Sequence, residues 1–296
     1  MKTEDNSYAV LIRDARKIYP GGVEIGPVDI DIKKGEIFGL VGPNGAGKTT
    51  LLKIISGLIK ATEGSVSVWG LDPVKDSAKV KEMIGYLPEE ASLYENMTVE
   101  SYLRLFADIF LVDRGTASRR IQDAYDLLGI TGNMVIGDLS KGTRRKVAIA
   151  RSLINDPELL IYDEPTAGLD VLTASAVIKY VQKLRDRGKS IMFSAHDMSL
   201  VETACDRVGV IVGGKIVSQG TVDEMVERYG SKSIEVEFEA GERDSVYTAQ
   251  LRDTEELNII SEWLVNTGGH ITNLTTRTSS LTEIFTKLVD EYEVKR

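Results

Sequence analysis

The stretch Gly42-Pro43-Asn44-Gly45-Ala46-Gly47-Lys48-Thr49 decides the fold of this chain. It matches the pattern G-x-x-x-x-G-K-[ST] of a phosphate-binding loop at every fixed position. The apolar run over residues 36–41 predicts a buried strand before the loop, and residues 50–55 predict a helix after it that stops at Gly57. Strand, glycine-rich loop and helix in this order are the context that the pattern requires, so we expect a nucleotide phosphate site on an α/β core.

The residue types of this loop suit phosphate binding. Glycines let main-chain N–H groups close around phosphate oxygens because no Cβ stands in the way. The following helix adds partial positive charge at its N-terminus. Lys48 would bridge the β- and γ-phosphates, and the Thr49 hydroxyl would coordinate Mg²⁺. A plain glycine turn is the alternative. The residues predicted to bind nucleotide here are Gly42, Asn44, Gly45, Gly47, Lys48, Thr49 and Thr50.

A second buried-strand pattern, Leu159–Tyr162, ends in the carboxylates Asp163 and Glu164. Parallel strands end at the same edge of a sheet, so this pair is expected beside the phosphate loop. Asp163 is predicted to hold Mg²⁺ through water, and Glu164 to act as general base on the attacking water. His196 ends another strand pattern and is placed to contact the γ-phosphate. Taken singly, an acidic strand end and a turn histidine are the alternatives.

The pattern of the chain changes at three places. Residues 1–93 alternate short apolar runs with Gly/Pro turns, as strands do. Residues 94–158 have mainly helical periodicity, with Thr98 as a predicted N-cap, and residues 159–230 return to strand–helix alternation. This order predicts a parallel sheet flanked by helices and interrupted by a helical insertion.

The chain changes character again after residue 230. Four apolar residues alternate with glutamates and predict a half-buried strand with an acidic face: Ile234, Val236, Phe238 and Ala240. A helix is predicted over 255–265, and Ser280-Leu281-Thr282-Glu283 has the spacing of a capping box that opens a final helix. We therefore predict a small α+β domain over 231–296 beside a larger domain over 1–230.

Composition excludes several classes of function. The 296 residues include 36 basic and 45 acidic side chains, a net charge of −9, which disfavours general binding to a nucleic-acid backbone. One cysteine, Cys205, and two histidines, His196 and His270, exclude an internal disulfide, a thiolate zinc cluster and a histidine metal site. No apolar run approaches ~18 residues, and the polar N-terminus has no secretory pattern, so we expect a protein of the cytoplasm.

Together these motifs resemble the ATP-binding cassette (ABC) family over about residues 8–230. The landmarks follow the family's order: the phosphate loop at 42–49, the Q-loop position at Ile84–Glu89, the LSGGQ signature position at Leu139-Ser140-Lys141-Gly142-Thr143, the Walker B pair Asp163-Glu164, the D-loop at Ala167–Asp170 and the switch histidine His196. The resemblance implies the P-loop NTPase fold of the ABC ATPase core, with its helical subdomain at about 94–158.

The resemblance also implies a composite site. Two copies would face head to tail, and ATP would lie between the phosphate loop of one copy and Ser140 and Gly142 of the other. These two residues precede a helix-like run, so hydroxyl, main-chain N–H and helix dipole can meet a phosphate together. Tyr19 stands where the family has the aromatic residue that stacks on adenine, with packing as the alternative.

The chain departs from the family pattern at three positions. Lys141 and Thr143 replace a glycine and the glutamine of the signature, and Glu89 replaces the glutamine of the Q-loop. Glu89 is a candidate metal ligand, although its carboxylate would add negative charge near Mg²⁺. Pro88-Glu89, the additional C-terminal domain and the ending over 280–285 resemble the type-2 exporter branch, whose members export drugs, polysaccharides, lipids or ions.

The function that the resemblance implies is an ATP-hydrolysing subunit of an exporter. Dimer closing and opening would drive a separate membrane permease, docked on the helical insertion and the Glu89 segment. The chain would then lie on the cytoplasmic face of the cell membrane. ATP and Mg²⁺ are the expected cofactors, and a second copy of the chain is the expected partner.

Two other classes of function fit the sequence less well. A soluble ABC ATPase of nucleic-acid or translation processes would normally carry long coiled coils or two cassettes, and this chain has neither. Its one local hint is the basic run Arg144-Arg145-Lys146, which we interpret as a charged first turn after the signature. A GTPase would normally show an [NT]-K-x-D motif, which does not occur, and a small-molecule kinase would not explain residues 139–143.

Overall fold

A computed structural model describes residues 7–239, 246–252 and 254–294 of the chain. The chain divides into two compact units, Met1–Thr221 and Val222–Arg296. The second unit thus begins before the predicted boundary at residue 230. The reason is a helix, α8 (Val222–Tyr229), which packs on the last helix of the second unit, where Lys287 Nζ donates a hydrogen bond to the main-chain oxygen of Tyr229 at 3.1 Å.

The first unit alternates strands and helices. In chain order its elements are β1 (Tyr8–Ile18), β2 (Glu24–Lys33), β3 (Ile37–Val41), α1 (Lys48–Ile55), β4 (Glu63–Val68), α2 (Ser77–Met83), β5 (Ile84–Leu87), α3 (Val99–Ile109), α4 (Arg114–Leu128), α5 (Lys141–Ser152), β6 (Leu159–Tyr162), α6 (Val171–Asp186), β7 (Ser190–Ala195), α7 (Met198–Ala204), β8 (Arg207–Val212) and β9 (Lys215–Gly220). A short 3-10 turn, Ile136–Asp138, precedes α5.

The central sheet has the strand order β5-β6-β7-β3-β8-β9. Its first five strands are parallel, and β9 pairs antiparallel to β8. Every residue of β3, β6 and β7 is buried, as is typical of parallel strands covered on both faces. The predicted α/β class is confirmed. Because β6, β7 and β3 are neighbours, the segments that follow them leave the sheet at one edge.

A second sheet, with the order β2-β1-β4, is antiparallel and shares one apolar core with the central sheet. Helix α1 contributes to that core through its buried face, as do β1 and β2: the residues include Ile12, Ile30, Ile32, Phe38, Leu40, Leu51, Leu52 and Ile55. This packing fixes the helix that starts at the end of the phosphate loop.

The segment between β5 and β6 is helical. It contains α3, α4, the 3-10 turn and α5. Thr98 caps α3 as predicted, since its Oγ1 accepts a hydrogen bond from the main-chain nitrogen of Ser101 at 3.2 Å. The apolar spacing of Val99, Tyr102 and Leu103 is also explained, because all three side chains are buried.

The second unit is a three-stranded antiparallel sheet with helices. After α8 its elements are β10 (Lys232–Glu239), β11 (Val246–Leu251), α9 (Thr254–Thr267), β12 (His270–Thr278) and α10 (Leu281–Val294), and the strand order is β11-β10-β12. The capping box is confirmed, because the main-chain nitrogen of Glu283 donates to Ser280 Oγ and that of Ser280 donates to Glu283 Oε2. Ala240 lies outside the described residues. Nowhere in the described ranges is a helix both long and apolar enough to cross a membrane.

Gly85 on β5 provides a test of how closely α5 approaches the sheet. A Cβ at this position would overlap the main-chain oxygen of Ser152 and lie 2.9 Å from Pro157 Cγ. We expect Gly85→Ala to lower the free energy of unfolding by about 1–3 kcal/mol, the usual cost of overpacking.

Gly115→Ala is the matched control. Gly115 is exposed on α4, and a Cβ there would be 3.4 Å from Asp113 Oδ1, an ordinary contact. Alanine favours helix over glycine by up to ~1 kcal/mol, so this variant should be as stable as the parent or more so. Thermal unfolding of the two full-length variants measures both effects. Equal midpoints for the two would contradict the close approach of α5 to β5.

Candidate functional site

The phosphate loop connects β3 to α1 at the carboxyl edge of the central sheet. Gly45 and Gly47 have φ angles of 77° and 106°, in the region that side chains other than glycine rarely adopt. Lys48 is buried, and its Nζ donates to the main-chain oxygens of Gly42 at 2.7 Å and Pro43 at 3.4 Å. Burial lowers the pKa of the Lys48 ammonium, and the nearby Glu164 carboxylate opposes that shift.

A cavity of about 290 Å³ lies over the loop. It brings together nine of the residues singled out in the sequence: Tyr19, Asn44, Gly45, Gly47, Lys48, Thr49, Thr50, Glu89 and Glu164. The Tyr19 hydroxyl lies 3.2 Å from Thr50 Oγ1, so the aromatic ring is tied to the helix that carries the loop. Gly42 contributes its main-chain oxygen to Lys48 at the base of the loop.

Asp163 has one carboxylate oxygen that the protein leaves unpaired. The residue is 1% exposed, and its Oδ1 accepts a hydrogen bond from Ser194 Oγ at 2.7 Å. Its Oδ2 is buried and has no hydrogen-bond partner among the described residues. An unpartnered buried carboxylate oxygen is costly unless a cation or donor meets it, and Mg²⁺ prefers oxygen ligands. Asp163 Oδ2 therefore has the chemistry to hold a magnesium ion, and the Thr49 hydroxyl, which lines the phosphate-loop cavity, is the other predicted ligand.

The described residues contain no group of three or more histidine, cysteine, aspartate or glutamate side chains arranged to hold a metal by themselves. Mg²⁺ commonly uses one or two protein carboxylates together with water and substrate phosphates, so the small donor set suits it. Glu89 lines the cavity and stays a candidate third ligand.

Glu164 stands between a lysine and a histidine. Its Oε1 lies 3.8 Å from Lys48 Nζ and 2.5 Å from His196 Nε2, and its side chain is 11% exposed. Burial raises the pKa of the Glu164 carboxyl, while His196 and Lys48 act against that shift. Glu164 also borders a second cavity of about 360 Å³, shared with His196 and Gly168. The carboxylate is therefore reached from two sides.

The signature residues lie apart from the phosphate loop of the same chain. Ser140 caps α5, and its Oγ accepts a hydrogen bond from the main-chain nitrogen of Thr143 at 3.2 Å. Gly142 is in the first turn of that helix, and neither Ser140 nor Gly142 lines the phosphate-loop cavity. The structure therefore does not bring these two residues to the phosphate-loop cavity of their own chain. The Lys141 side chain lies against Gly168.

Two residues of the site were not identified from the sequence. Ser194 donates to Asp163 Oδ1 and accepts a hydrogen bond from the main-chain nitrogen of Glu164 at 2.9 Å. A hydroxyl inside an apolar strand was the available signal, since buried hydroxyls need partners. The second residue is Arg145. The sequence predicts a charged first turn for the basic run, whereas Arg145 lies in the second turn of α5, is 7% exposed and donates to the main-chain oxygen of Glu164 at 2.7 Å.

Comparison with known proteins places the chain among transporter ATPases. Residues 25–167 match the family model described as "ABC transporter". The ABC transporter ATP-binding protein NatA of Bacillus subtilis is 38% identical over 71% of this chain and 87% of its own length. The fluoroquinolones export ATP-binding protein of Mycobacterium tuberculosis is 31% identical over 94% of this chain and 92% of its own.

A solved structure agrees with these relatives. The ATP-binding cassette MJ0796, as a dimer in a post-hydrolysis state bound to ADP and Pi, superposes with a TM-score of 0.67. It is 25% identical in sequence, over 72% of this chain and 98% of its own.

Lys48→Ala tests the phosphate loop. Loss of a charged donor is worth about 1.5–3 kcal/mol, so the affinity for ATP should fall by about 10- to 100-fold, measured by equilibrium titration with a fluorescent ATP analogue. Lys53→Ala is the matched control, because Lys53 belongs to the same helix and does not line the cavity. If Lys48→Ala binds ATP as tightly as the parent, the phosphate loop is not part of the nucleotide site.

Proposed function

Because the chain belongs to the ABC transporter family, as an ATP-binding subunit, we propose that it hydrolyses ATP between two copies and so powers export through a separate permease. The observation that carries this proposal is the position of Glu164. Its carboxylate lies beside Lys48 of the phosphate loop and next to Asp163, whose free oxygen fits a magnesium ion. The fluoroquinolones export relative, which matches along nearly the whole chain, supports export as the direction and is consistent with the type-2 exporter branch.

The phosphate loop binds and orients ATP. Main-chain N–H groups at the glycines and at the start of α1 face the phosphates, with the helix dipole adding positive charge. The Lys48 ammonium is held at the base of the loop, where it would meet the β- and γ-phosphates. Tyr19 borders the same cavity and provides a ring for adenine.

Asp163 and Thr49 would hold Mg²⁺ next to the phosphates. Bound there, the ion neutralises the charge of the phosphate oxygens. The Ser194 hydroxyl donates to Asp163 Oδ1, and Oδ2 has no hydrogen-bond partner among the described residues, so Oδ2 is the oxygen that would bind the metal.

Glu164 is the proposed general base. Water attacks the γ-phosphorus, the bond from phosphorus to the ADP oxygen breaks, and the proton of the water passes to the Glu164 carboxylate. A carboxyl whose pKa is raised by burial is a better proton acceptor than an exposed one. His196 contacts Oε1 and holds the carboxylate in place.

Two copies complete the site. Ser140 and Gly142 lie at the N-terminus of α5, where a hydroxyl and free main-chain N–H groups can receive a γ-phosphate. They do not reach the phosphate loop of their own chain, so we assign them to the nucleotide of the facing copy. The dimeric, ADP- and Pi-bound form of MJ0796 supports this arrangement.

The helical segment offers a surface for the permease. A groove of about 200 Å³ lies between β5 and α3, and its lining includes Leu58, Tyr86, Phe106 and Phe110. Leu111, the residue after Phe110, is 91% exposed. An apolar groove with exposed apolar neighbours is typical of a protein–protein contact. We place the chain on the cytoplasmic face of the membrane through this contact.

The basic run gives no support to nucleic-acid binding. Arg145 is buried, and Arg144 donates hydrogen bonds to Gly137, Leu139 and Glu95. Binding to a phosphate backbone needs exposed, clustered positive charge.

Glu164→Gln tests the proposed mechanism. The amide keeps the shape of the side chain but cannot accept the proton, so kcat for ATP hydrolysis should fall by ~10²–10⁴ while the affinity for ATP is retained. With Mg²⁺ and ATP the variant should also accumulate as a dimer, measured by size-exclusion chromatography with light scattering.

The matched control is Glu158→Gln. Glu158 precedes β6 at the opposite end of the strand and lies 3.6 Å from Lys189 Nζ on the surface. Its kcat should stay within about twofold of the parent, since surface ion pairs contribute little. Parental hydrolysis by Glu164→Gln would show that another group takes the proton.

A further inference from the structure

Arg145 uses all of its hydrogen-bond donors inside the protein. The residue lies in the second turn of α5 and its side chain is buried. A guanidinium group has five N–H donors, and here each has a main-chain oxygen to meet. The acceptors are the oxygens of Pro88, Glu89, Asp163, Glu164 and Pro165, at 2.7, 2.8, 2.7, 2.7 and 3.2 Å. One side chain thus joins the turn after β5 to the turn after β6.

The cost of burying this charge indicates that the contact has a purpose beyond packing. Burial lowers the pKa of the Arg145 guanidinium; the carboxylates of Asp163, Glu89 and Glu164 oppose that shift, but none of them forms a described ion pair with Arg145. A buried charge without a paired carboxylate is seldom a net source of stability. A neutral side chain could satisfy one or two of the carbonyl groups but not five in two separate segments.

The backbone of Glu164 needs this support. Its φ angle is 49°, a conformation that residues other than glycine seldom adopt. Such a conformation is strained and persists where the surroundings fix it. Here Ser194 Oγ accepts a hydrogen bond from the Glu164 main-chain nitrogen at 2.9 Å, while Arg145 donates to the Glu164 main-chain oxygen at 2.7 Å. The residue is therefore held from both sides.

We propose that Arg145 is a positioning residue for hydrolysis, which holds the main chain of Glu164 so that the carboxylate stays between Lys48 and His196, a role that rests on the proposed function of Glu164 as base. Without the guanidinium, the Glu164 peptide would relax toward ordinary backbone angles and carry the carboxylate away from the attacking water. Arg145 does not line the phosphate-loop cavity. It acts through Glu164, from the same helix that begins at Ser140.

Kinetics of Arg145→Gln and Arg145→Lys test this role in the full-length chain. A displaced base lowers the rate without changing nucleotide binding, so kcat should fall by about 10- to 100-fold in Arg145→Gln while the affinity for ATP stays within about threefold. Lysine keeps the charge but has three donors, so Arg145→Lys should recover part of kcat. If Arg145→Gln does not fold, the same split between kcat and affinity is measured on Arg145→Lys alone.

Arg120→Gln controls for a general loss of packing. Arg120 lies on α4 and donates to the main-chain oxygen of Ile154 at 2.8 Å and to Asp156 Oδ2 at 3.2 Å, both in the loop before β6. Its loss should lower the unfolding temperature but leave kcat within about twofold of the parent. The proposal would be overturned if Arg120→Gln lowered kcat as much as Arg145→Gln does, or if Arg145→Gln kept the kcat of the parent.

A double-mutant cycle separates the role of Arg145 from that of Glu164. If Arg145 acts by placing Glu164, Arg145→Gln should lower the rate of hydrolysis only slightly in a chain that already carries Glu164→Gln. Single-turnover measurements give this rate. An equal loss in both backgrounds would show that Arg145 acts on its own and would overturn the proposal. If Glu164→Gln alone hydrolyses ATP at the parent rate, Glu164 is not the base, and the proposed function fails independently of any result on Arg145.

Discussion

The adjacency of β6, β7 and β3 in one parallel sheet is the constraint on which the site depends. Parallel neighbours release the chain at the same edge, so the phosphate loop, the two carboxylates and His196 meet there although they are far apart in sequence. The strands are buried on both faces and cannot shift without exposing apolar surface. The chemistry is therefore carried by short segments fixed to a rigid layer.

Charge at this edge is balanced by short-range contacts rather than by solvent. Lys48 and His196 both contact Glu164 Oε1, while the buried Arg145 donates a hydrogen bond to the main-chain oxygen of Glu164. Burial strengthens each of these interactions, and it also makes an unpaired group costly. Asp163 Oδ2 has no hydrogen-bond partner within the described part of the chain, so it is a point where a cation would fit.

The sequence predicted the elements that have strong local signals and missed those that depend on tertiary contacts. The phosphate loop, the helix caps at Thr98 and Ser280 and the α/β class follow from residue type and spacing. The strands β11 and β12 were not predicted, because they are short or largely exposed and lack strict alternation. Likewise the start of the second unit depends on the packing of α8 against α10, which no local pattern encodes.

For the site, motif spacing selected the residues that line the phosphate-loop cavity, since each motif has a fixed place at the sheet edge. The supporting residues were harder to see. Arg145 stands in a basic run that is typical of a surface. Its hydrogen-bond acceptors lie in two segments more than a dozen residues away, so no local pattern indicates its burial.

The contact between Glu164 and His196 has a consequence for the turnover of the base. His196 is 43% exposed, and its Nε2 contacts Glu164 Oε1, the same oxygen that Lys48 Nζ approaches at 3.8 Å. An imidazole can accept a proton at one nitrogen and release one from the other. If Glu164 takes the proton of the attacking water, the partly exposed ring offers that proton a route to solvent outside the phosphate-loop cavity, which His196 does not line.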